Sequence, residues 1–317
     1  MRGHPSPIVI GHRGASGYRP EHTRSAYELA FQLGADAVEP DIVATKDGVL
    51  VIRHDIELSE TTDVAAHSEF ARRRTTKEVD GVTLTGWFVE DFSWPELALL
   101  RARERLGALR QASSSFDGQF PILKLSSLFD IVDAAAERED RPFGLVAELK
   151  HPAYFEDLGL PLDDLFAQAV QDAGWSAETS RLVIESFERP VLAKVRKRGV
   201  RGTRVLLTET AEALVDLTAG DLEGVSVERA LLLDAEGHAR PELVDLAHAD
   251  GLAVFAWTLR PENAFLAPAH RRGDADAAFG AWQQEFRAIL TTGVDGVFAD
   301  HPDLAAAVRD TLSVTAS

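Results

Sequence analysis

An α/β fold, a TIM-type (β/α)8 barrel carrying one insertion, is predicted by three observations. Short β-branched runs alternate with amphipathic helical stretches, eight such runs can be counted, and ionisable residues gather where the runs end. The length agrees, since 317 residues exceed the typical barrel of about 250 residues by roughly one inserted segment.

The strand candidates are 8–11, 37–44, 144–150, 181–187, 204–208, 224–228, 252–259 and 296–299. Between them lie helical patterns such as 23–33, where Ala26, Leu29, Ala30 and Leu33 share a face, and 162–173, with Leu165, Phe166, Ala169 and Val170. One region, 56–122, breaks the alternation. It is polar, contains Arg72-Arg73-Arg74, the pair Trp87-Phe88, a helix-like stretch 94–110 and Ser113-Ser114-Ser115. It is expected to form an insertion subdomain within a single barrel domain spanning 1–317, between the hairpin that follows the second barrel strand and the third strand. A shorter excursion, 260–276, reads as a loop before a helix over 277–291.

The 51 acidic side chains against 33 basic ones give a net charge of -18, which opposes nucleic-acid or anionic-membrane binding through a broad field. An anionic substrate therefore needs a local positive site. The absence of cysteine excludes disulfides, thiolate metal ligands and cysteine nucleophiles. No basic start followed by an apolar run marks a secretory leader, and no uninterrupted apolar stretch reaches the about 20 residues of a membrane span. The expectation is a soluble chain without stable membrane insertion, cytoplasmic as given, and secreted or periplasmic if a leader has been removed.

Functional side chains of such a barrel belong at the C-terminal ends of strands. There the sequence places His12-Arg13 after the first strand, Glu39-Pro40-Asp41 in the second, Glu148-Leu149-Lys150 in the third and Glu185-Ser186 in the fourth. Glu39 and Asp41 are two apart on a strand, so both carboxylates point the same way, as two ligands of one cation require. Lys46-Asp47-Gly48-Val49 carries the Asp-Gly signal of a two-residue hairpin turn. If Lys46 pairs with Val49, Asp41 faces His54. Two histidines near paired carboxylates suit acid-base work at neutral pH, while Arg13 and Lys150 offer the fixed charge that phosphate oxygens need. Taken singly, each of these residues is more often a surface or core group; together they point to a site.

The segments His12-Arg13-Gly14-Ala15, Pro20-Glu21-His22-Thr23, Glu39-Pro40-Asp41, Thr45-Lys46-Asp47-Gly48 and His54-Asp55 follow one another in an order that resembles the glycerophosphodiester phosphodiesterase family. The resemblance continues through Glu148-Leu149-Lys150, Glu185-Ser186-Phe187, Trp257-Thr258 and Gly293-Val294-Asp295-Gly296. It implies that Glu39, Asp41 and Glu148 bind Ca²⁺ or Mg²⁺, that His12 and His54 are the acid and base, that Arg13 and Lys150 hold phosphate, and that Trp257 stacks on glycerol carbons. An all-oxygen ligand set favours a hard cation over zinc or copper. His22 stands where many shorter members have asparagine, and Glu60 where they have arginine. With the long insertion, these departures resemble the longer bacterial branch, often secreted and calcium-using.

The implied reaction splits a glycerophosphodiester into an alcohol and glycerol 3-phosphate. Which histidine is the base, and whether a cyclic phosphate intervenes, stay open. Two other readings remain. A lysophospholipase D or sphingomyelinase D-like activity shares the same core and would want an apolar mouth, for which Trp87, Phe88, Phe92 and Trp94 are candidates; their other reading is a small core for the insertion. A non-catalytic binding barrel is the third, opposed by the completeness of the set.

Overall fold

The computed structural model describes residues 6–178, 180–212 and 222–315. Its strands are β1 (Ile8–His12), β2 (Ala37–Glu39), β3 (Asp41–Ala44), β4 (Leu50–Ile52), β5 (Thr75–Val79), β6 (Val82–Gly86), β7 (Gly144–Leu149), β8 (Leu182–Ser186), β9 (Thr203–Thr208), β10 (Gly224–Glu228), β11 (Ala253–Leu259) and β12 (Gly296–Ala299). Ten of them form one sheet in the order β2-β1-β12-β11-β10-β9-β8-β7-β3-β4, and β2 also pairs with β7, which closes it. β2 and β3 are halves of one barrel strand, interrupted at Pro40, which has no N–H to give to the ladder. The register on β7 runs through both halves, with Val38 beside Leu145 and Asp41 beside Glu148. Counted this way, the barrel has the eight parallel strands expected.

Period-two alternation divides the apolar side chains between two cores. Val9, Val38, Leu145, Leu182 and Val254 face outward and join the large core under the helices. Ile10, Ala37, Val146, Val183, Val205, Phe255 and Phe298 form a separate cluster that plugs the barrel interior. The helix over 23–33 is observed as Arg24–Gln32, with the Thr23 hydroxyl accepting from the Ala26 amide at 3.1 Å as its N-cap. The stretch 162–173 is observed as a helix over Leu162–Asp172. No helix among the described residues is long and apolar enough to cross a membrane.

The hairpin differs from its expected register by one residue. Ala44 pairs with Leu50 and Ile42 with Ile52, so the Asp41 carbonyl accepts from the Arg53 amide at 2.9 Å rather than facing His54. The loop has three residues, Lys46 to Gly48, because Gly48 takes the left-handed conformation at φ 75° and its amide bonds the Thr45 carbonyl at 2.9 Å. The Asp47 side chain holds this loop by accepting from the Thr45 hydroxyl at 2.6 Å and the Trp94 amide at 2.9 Å.

Segment 56–122 folds into 3-10 turns, the β5–β6 hairpin and two four-residue helices, Trp94–Leu97 and Gln111–Ser114. The expected helix over 94–110 stops early because the chain beyond Leu97 is captured by tertiary pairing: Arg101 bridges to Pro121, Ala102 to Thr62, and the Arg101 amide donates to Asp63 at 2.8 Å. Trp87, Phe88 and Phe92 are buried in a core continuous with that of the barrel. The helix expected over 277–291 begins only at Trp282.

Candidate active site

Moving two residues along each strand from the interior plug reaches the C-terminal mouth: Ile10 leads to His12, Ala37 to Glu39, Val146 to Glu148, Val183 to Glu185, and Phe255 to Trp257. All five line one cleft of about 250 Å³, joined by Arg13, His54, Lys150 and Phe187. The cleft is thus the first layer above the plug, and strand periodicity aims its polar groups inward. A neighbouring cleft of about 290 Å³ shares His12, Arg13 and Trp257 and extends toward Arg229 and Arg260.

Glu39, Glu148 and Glu185 offer carboxylate oxygens that all lie within 4.8 Å of one another. Burial and mutual repulsion hold the acids of Glu39 and Glu185 well above the ordinary carboxylate range, and burial with the nearby Asp41 pushes Glu148 up to about 8. Glu39 Oε1 and Glu185 Oε2 are buried without a hydrogen-bond partner. Crowded, partnerless hard oxygens of this kind fit a divalent cation.

Asp41 is placed differently from its two expected co-ligands. One oxygen accepts from His22 Nε2 at 2.9 Å and lies 3.2 Å from Arg13 Nε, and the other lies 3.7 Å from Lys150 Nζ. Against the effect of burial, His54, Lys150 and Arg13 hold it well below the usual range. It still borders the cluster, being the register partner of Glu148.

Each imidazole is tied through Nδ1. His12 Nδ1 meets Asp300 Oδ1 at 2.6 Å, and His54 Nδ1 meets Asp55 Oδ1 at 2.6 Å, so Nε2 is left for the cleft in both. Burial, then Arg13, lowers His12 to about 4; loss of hydration, then Arg13 and Lys150, lowers His54 to about 3. Both rings are therefore neutral at pH 7. Arg13 adopts φ 60° and donates its amide to Glu39 Oε2 at 2.9 Å. Lys150 Nζ sits 2.8 Å from Glu148 Oε1, and although burial works against its charge, Glu148 and Asp41 raise it to about 12.

The sequence profile described as the glycerophosphoryl diester phosphodiesterase family matches residues 12–304. The chain belongs to that family. Glycerophosphodiester phosphodiesterase GDPD6 of Arabidopsis thaliana is 30% identical over 93% of this chain and 83% of its own length. The glycerophosphodiester phosphodiesterase of Bacillus subtilis is 26% identical over 94% of this chain and 84% of its own. A solved structure from Silicibacter pomeroyi superposes with a TM-score of 0.72 at 24% identity, covering 98% of this chain and 96% of that one. A phosphodiesterase from Oleispira antarctica, solved with the product sn-glycerol-3-phosphate, gives 0.64 at 22% identity, covering 96% and 97%. The chain is thus a phosphodiesterase of the glycerophosphodiester class on a TIM barrel.

Within this family frame, the structure brings together His12, Arg13, Glu39, His54, Glu148, Lys150 and Trp257 on one cleft, with Asp41 beside it. Several contributors went unassigned in the sequence. Glu185 ends β8, the same position as the other strand-end acids, yet was left out of the cation set. Asp300 follows β12, and in the sequence its strand-end place beside His301 and Pro302 is less informative than the carboxylates of the first strands. Arg105 and Arg110 carry no such signal, since they lie in an irregular segment and reach the site only through the fold.

Proposed function

We propose that this chain hydrolyses glycerophosphodiesters to an alcohol and glycerol 3-phosphate, with His12 and His54 as acid and base and a hard divalent cation, Mg²⁺ or Ca²⁺, at the carboxylates of Glu39, Glu148, Glu185 and Asp41. The observation that carries this reading is the convergence of two Nδ1-anchored imidazoles on one cleft with a partnerless carboxylate cluster and two fixed cations. When bound, the cation neutralises phosphoryl charge. Arg13 and Lys150 orient the phosphate oxygens. One imidazole takes a proton at Nε2 from the attacking water, giving glycerol 3-phosphate directly, or from the glycerol 2-hydroxyl, giving a cyclic phosphate whose bond to the 2-oxygen water then breaks; the other delivers a proton to the departing alkoxide oxygen. The negative phosphodiester favours the protonated form that the acid requires. Trp257, held by its Nε1 donating to the Ser226 carbonyl at 3.2 Å and edge-on to Phe187, offers an apolar face to glycerol carbons. Segment 56–122 acts as a cap over this mouth, and with His22 it supports the longer bacterial branch of the family.

Burial of Trp87, Phe88 and Phe92 in a core continuous with that of the barrel, with the partly buried Trp94 packed against it, argues against an apolar mouth for a lipid substrate. The test is incubation with glycerophosphocholine, glycerophosphoethanolamine, glycerophosphoglycerol and lysophosphatidylcholine, each with EDTA, Mg²⁺ or Ca²⁺. Glycerol 3-phosphate is expected from the first three only with cation. Full turnover by protein shown to be metal-free by elemental analysis, or turnover of lysophosphatidylcholine alone, overturns the proposal.

A further inference from the structure

The two histidine anchors share a feature that the family reaction does not by itself demand. Each anchoring carboxylate spends one oxygen on its histidine and the other on an arginine, and both arginines come from segment 56–122. Asp55 takes His54 Nδ1 on Oδ1 and an Arg105 guanidinium nitrogen on Oδ2 at 2.5 Å. Asp300 takes His12 Nδ1 on Oδ1 and Arg110 on Oδ2 at 2.7 Å. Arg105 is itself braced by two bonds to Glu21 at 2.9 Å, and Arg110 by Glu262 at 2.7 Å and the Ser16 carbonyl at 3.2 Å. Glu21 in turn meets Arg13 at 3.1 Å.

We propose that Arg105 and Arg110 are positioning residues for His54 and His12, so that segment 56–122 completes the acid-base apparatus from outside the barrel. The inference rests on the acid-base reading of the two histidines. A carboxylate bonded through one oxygen can still swing about its Cβ–Cγ bond; bonded through both, it fixes the plane in which the imidazole sits. Guanidinium is suited to this, being always charged and planar with donors in a rigid fork. Water cannot easily replace Arg110, whose side chain is 4% exposed against carboxylates at 1% and 2%. Asp300 has a second cation in Arg260 at 2.7 Å, whereas Arg105 is the one arginine or lysine paired with Asp55 among the described residues. Loss of Arg105 should therefore be felt more directly at its histidine, relative to its exposure, than loss of Arg110. Ring misplacement acts on the transition state, so kcat should fall while KM stays near its original value.

The experiment compares Arg105→Met, Arg105→Lys, Arg110→Met and Arg110→Lys with Arg73→Met, a control in the same segment whose guanidinium pairs with Glu96 away from the cleft. Histidine-to-alanine variants and the doubles His54→Ala/Arg105→Met and His12→Ala/Arg110→Met complete the set. Each arginine-to-methionine change is expected to lower kcat by about tenfold or more, by analogy with the loss of outer-shell partners that orient metal-bound histidines, with lysine restoring part of it. The downfield Nδ1 proton resonance of the matching histidine should weaken, and the doubles should be no slower than the histidine single variants. Arg73→Met should match the parent. Should Arg110→Met fail to fold, the Arg105 pair and Arg110→Lys carry the comparison. Parent kcat in folded Arg105→Met, an undiminished arginine effect in the doubles, or an equal loss in Arg73→Met each overturns the proposal. Inactive histidine variants beside fully active arginine variants sink this inference alone, while fully active histidine variants sink the acid-base reading and this inference with it.

Discussion

Two neutral imidazoles facing one anionic substrate set the terms of the chemistry at the level of single residues. His12 and His54 are lowered to about 4 and about 3, so the base form is available well below the ordinary histidine value of 6.5, and a bound cation lowers both further. The acidic limb of kcat/KM, where the base is lost to protonation, is accordingly expected below about pH 5, and an acidic limb at the ordinary histidine value would contradict the buried, cation-flanked setting of both rings. His12→Ala and His54→Ala should each lower kcat by roughly 10² to 10⁴ with the fold intact, and less than additively when combined because they serve one proton circuit. Stopped assays on purified variants, with circular dichroism as the fold control, check this. Glu185 makes a separate claim. Its Oε2 is buried without a partner, so Glu185→Gln should lower cation affinity by about tenfold or more through the lost ligand charge, measured by calorimetry; unchanged affinity would remove Glu185 from the cation set.

Between residue and barrel stand the short elements that aim these groups, and the turn from β1 into the Arg24–Gln32 helix is the most constrained of them. Gly14 sits at φ 86°, where an added Cβ would lie 2.6 Å from the Ala26 carbonyl carbon. Gly14→Ala should thus cost roughly 2 to 5 kcal/mol from left-handed strain and overlap together, and should lower activity as well, because Arg13 immediately precedes it. Thermal unfolding checks the first part; an unchanged melting temperature would mean that the helix can slide without loss. The elements that were legible in the sequence are those governed by local periodicity. Strands with inward-facing His12, Glu39 and Glu148 could be read because alternation and strand-end position are properties of a few neighbouring residues. The hairpin register was missed by one because Asp47-Gly48 suits a three-residue loop as well as a two-residue one, and the choice is made by contacts to Thr45 and Trp94. The stretch 94–110 has helical spacing but is claimed by bridges to 62 and 121, which no local pattern announces. Arg105 and Arg110 were illegible for the same reason.

At the scale of the whole molecule, two populations of buried charge pull stability in opposite directions with pH. The acids paired with buried arginines are depressed: Asp300 by Arg260 and Arg110, Glu21 by Arg13 and Arg105, in each case against the effect of burial. Groups of this kind contribute stability above their unfolded pKa and lose it as pH falls through the folded value. The lowered histidines act in the same sense, stabilising fully above 6.5 and progressively less toward about 4. The cation cluster does the reverse. Glu39, Glu148 and Glu185 hold protons in the fold that the unfolded chain has already released, so between the ordinary glutamate value of 4.5 and about 8 for Glu148 the native state binds more protons and stability declines as pH rises. A cation reverses this, because it binds the ionised carboxylates and replaces their protons. Metal-free protein should therefore show its highest melting temperature below neutrality and lose stability toward about pH 8, while saturating Mg²⁺ or Ca²⁺ should flatten the alkaline side and raise the melting temperature less toward acid pH, where protons compete for the carboxylates. Calorimetric titration near pH 6.5 in buffers of different ionisation heat should also show protons released on cation binding. Melting curves across pH, with and without cation, test both halves together: an alkaline decline that persists at saturating cation would mean that the three glutamates are not where the ion binds.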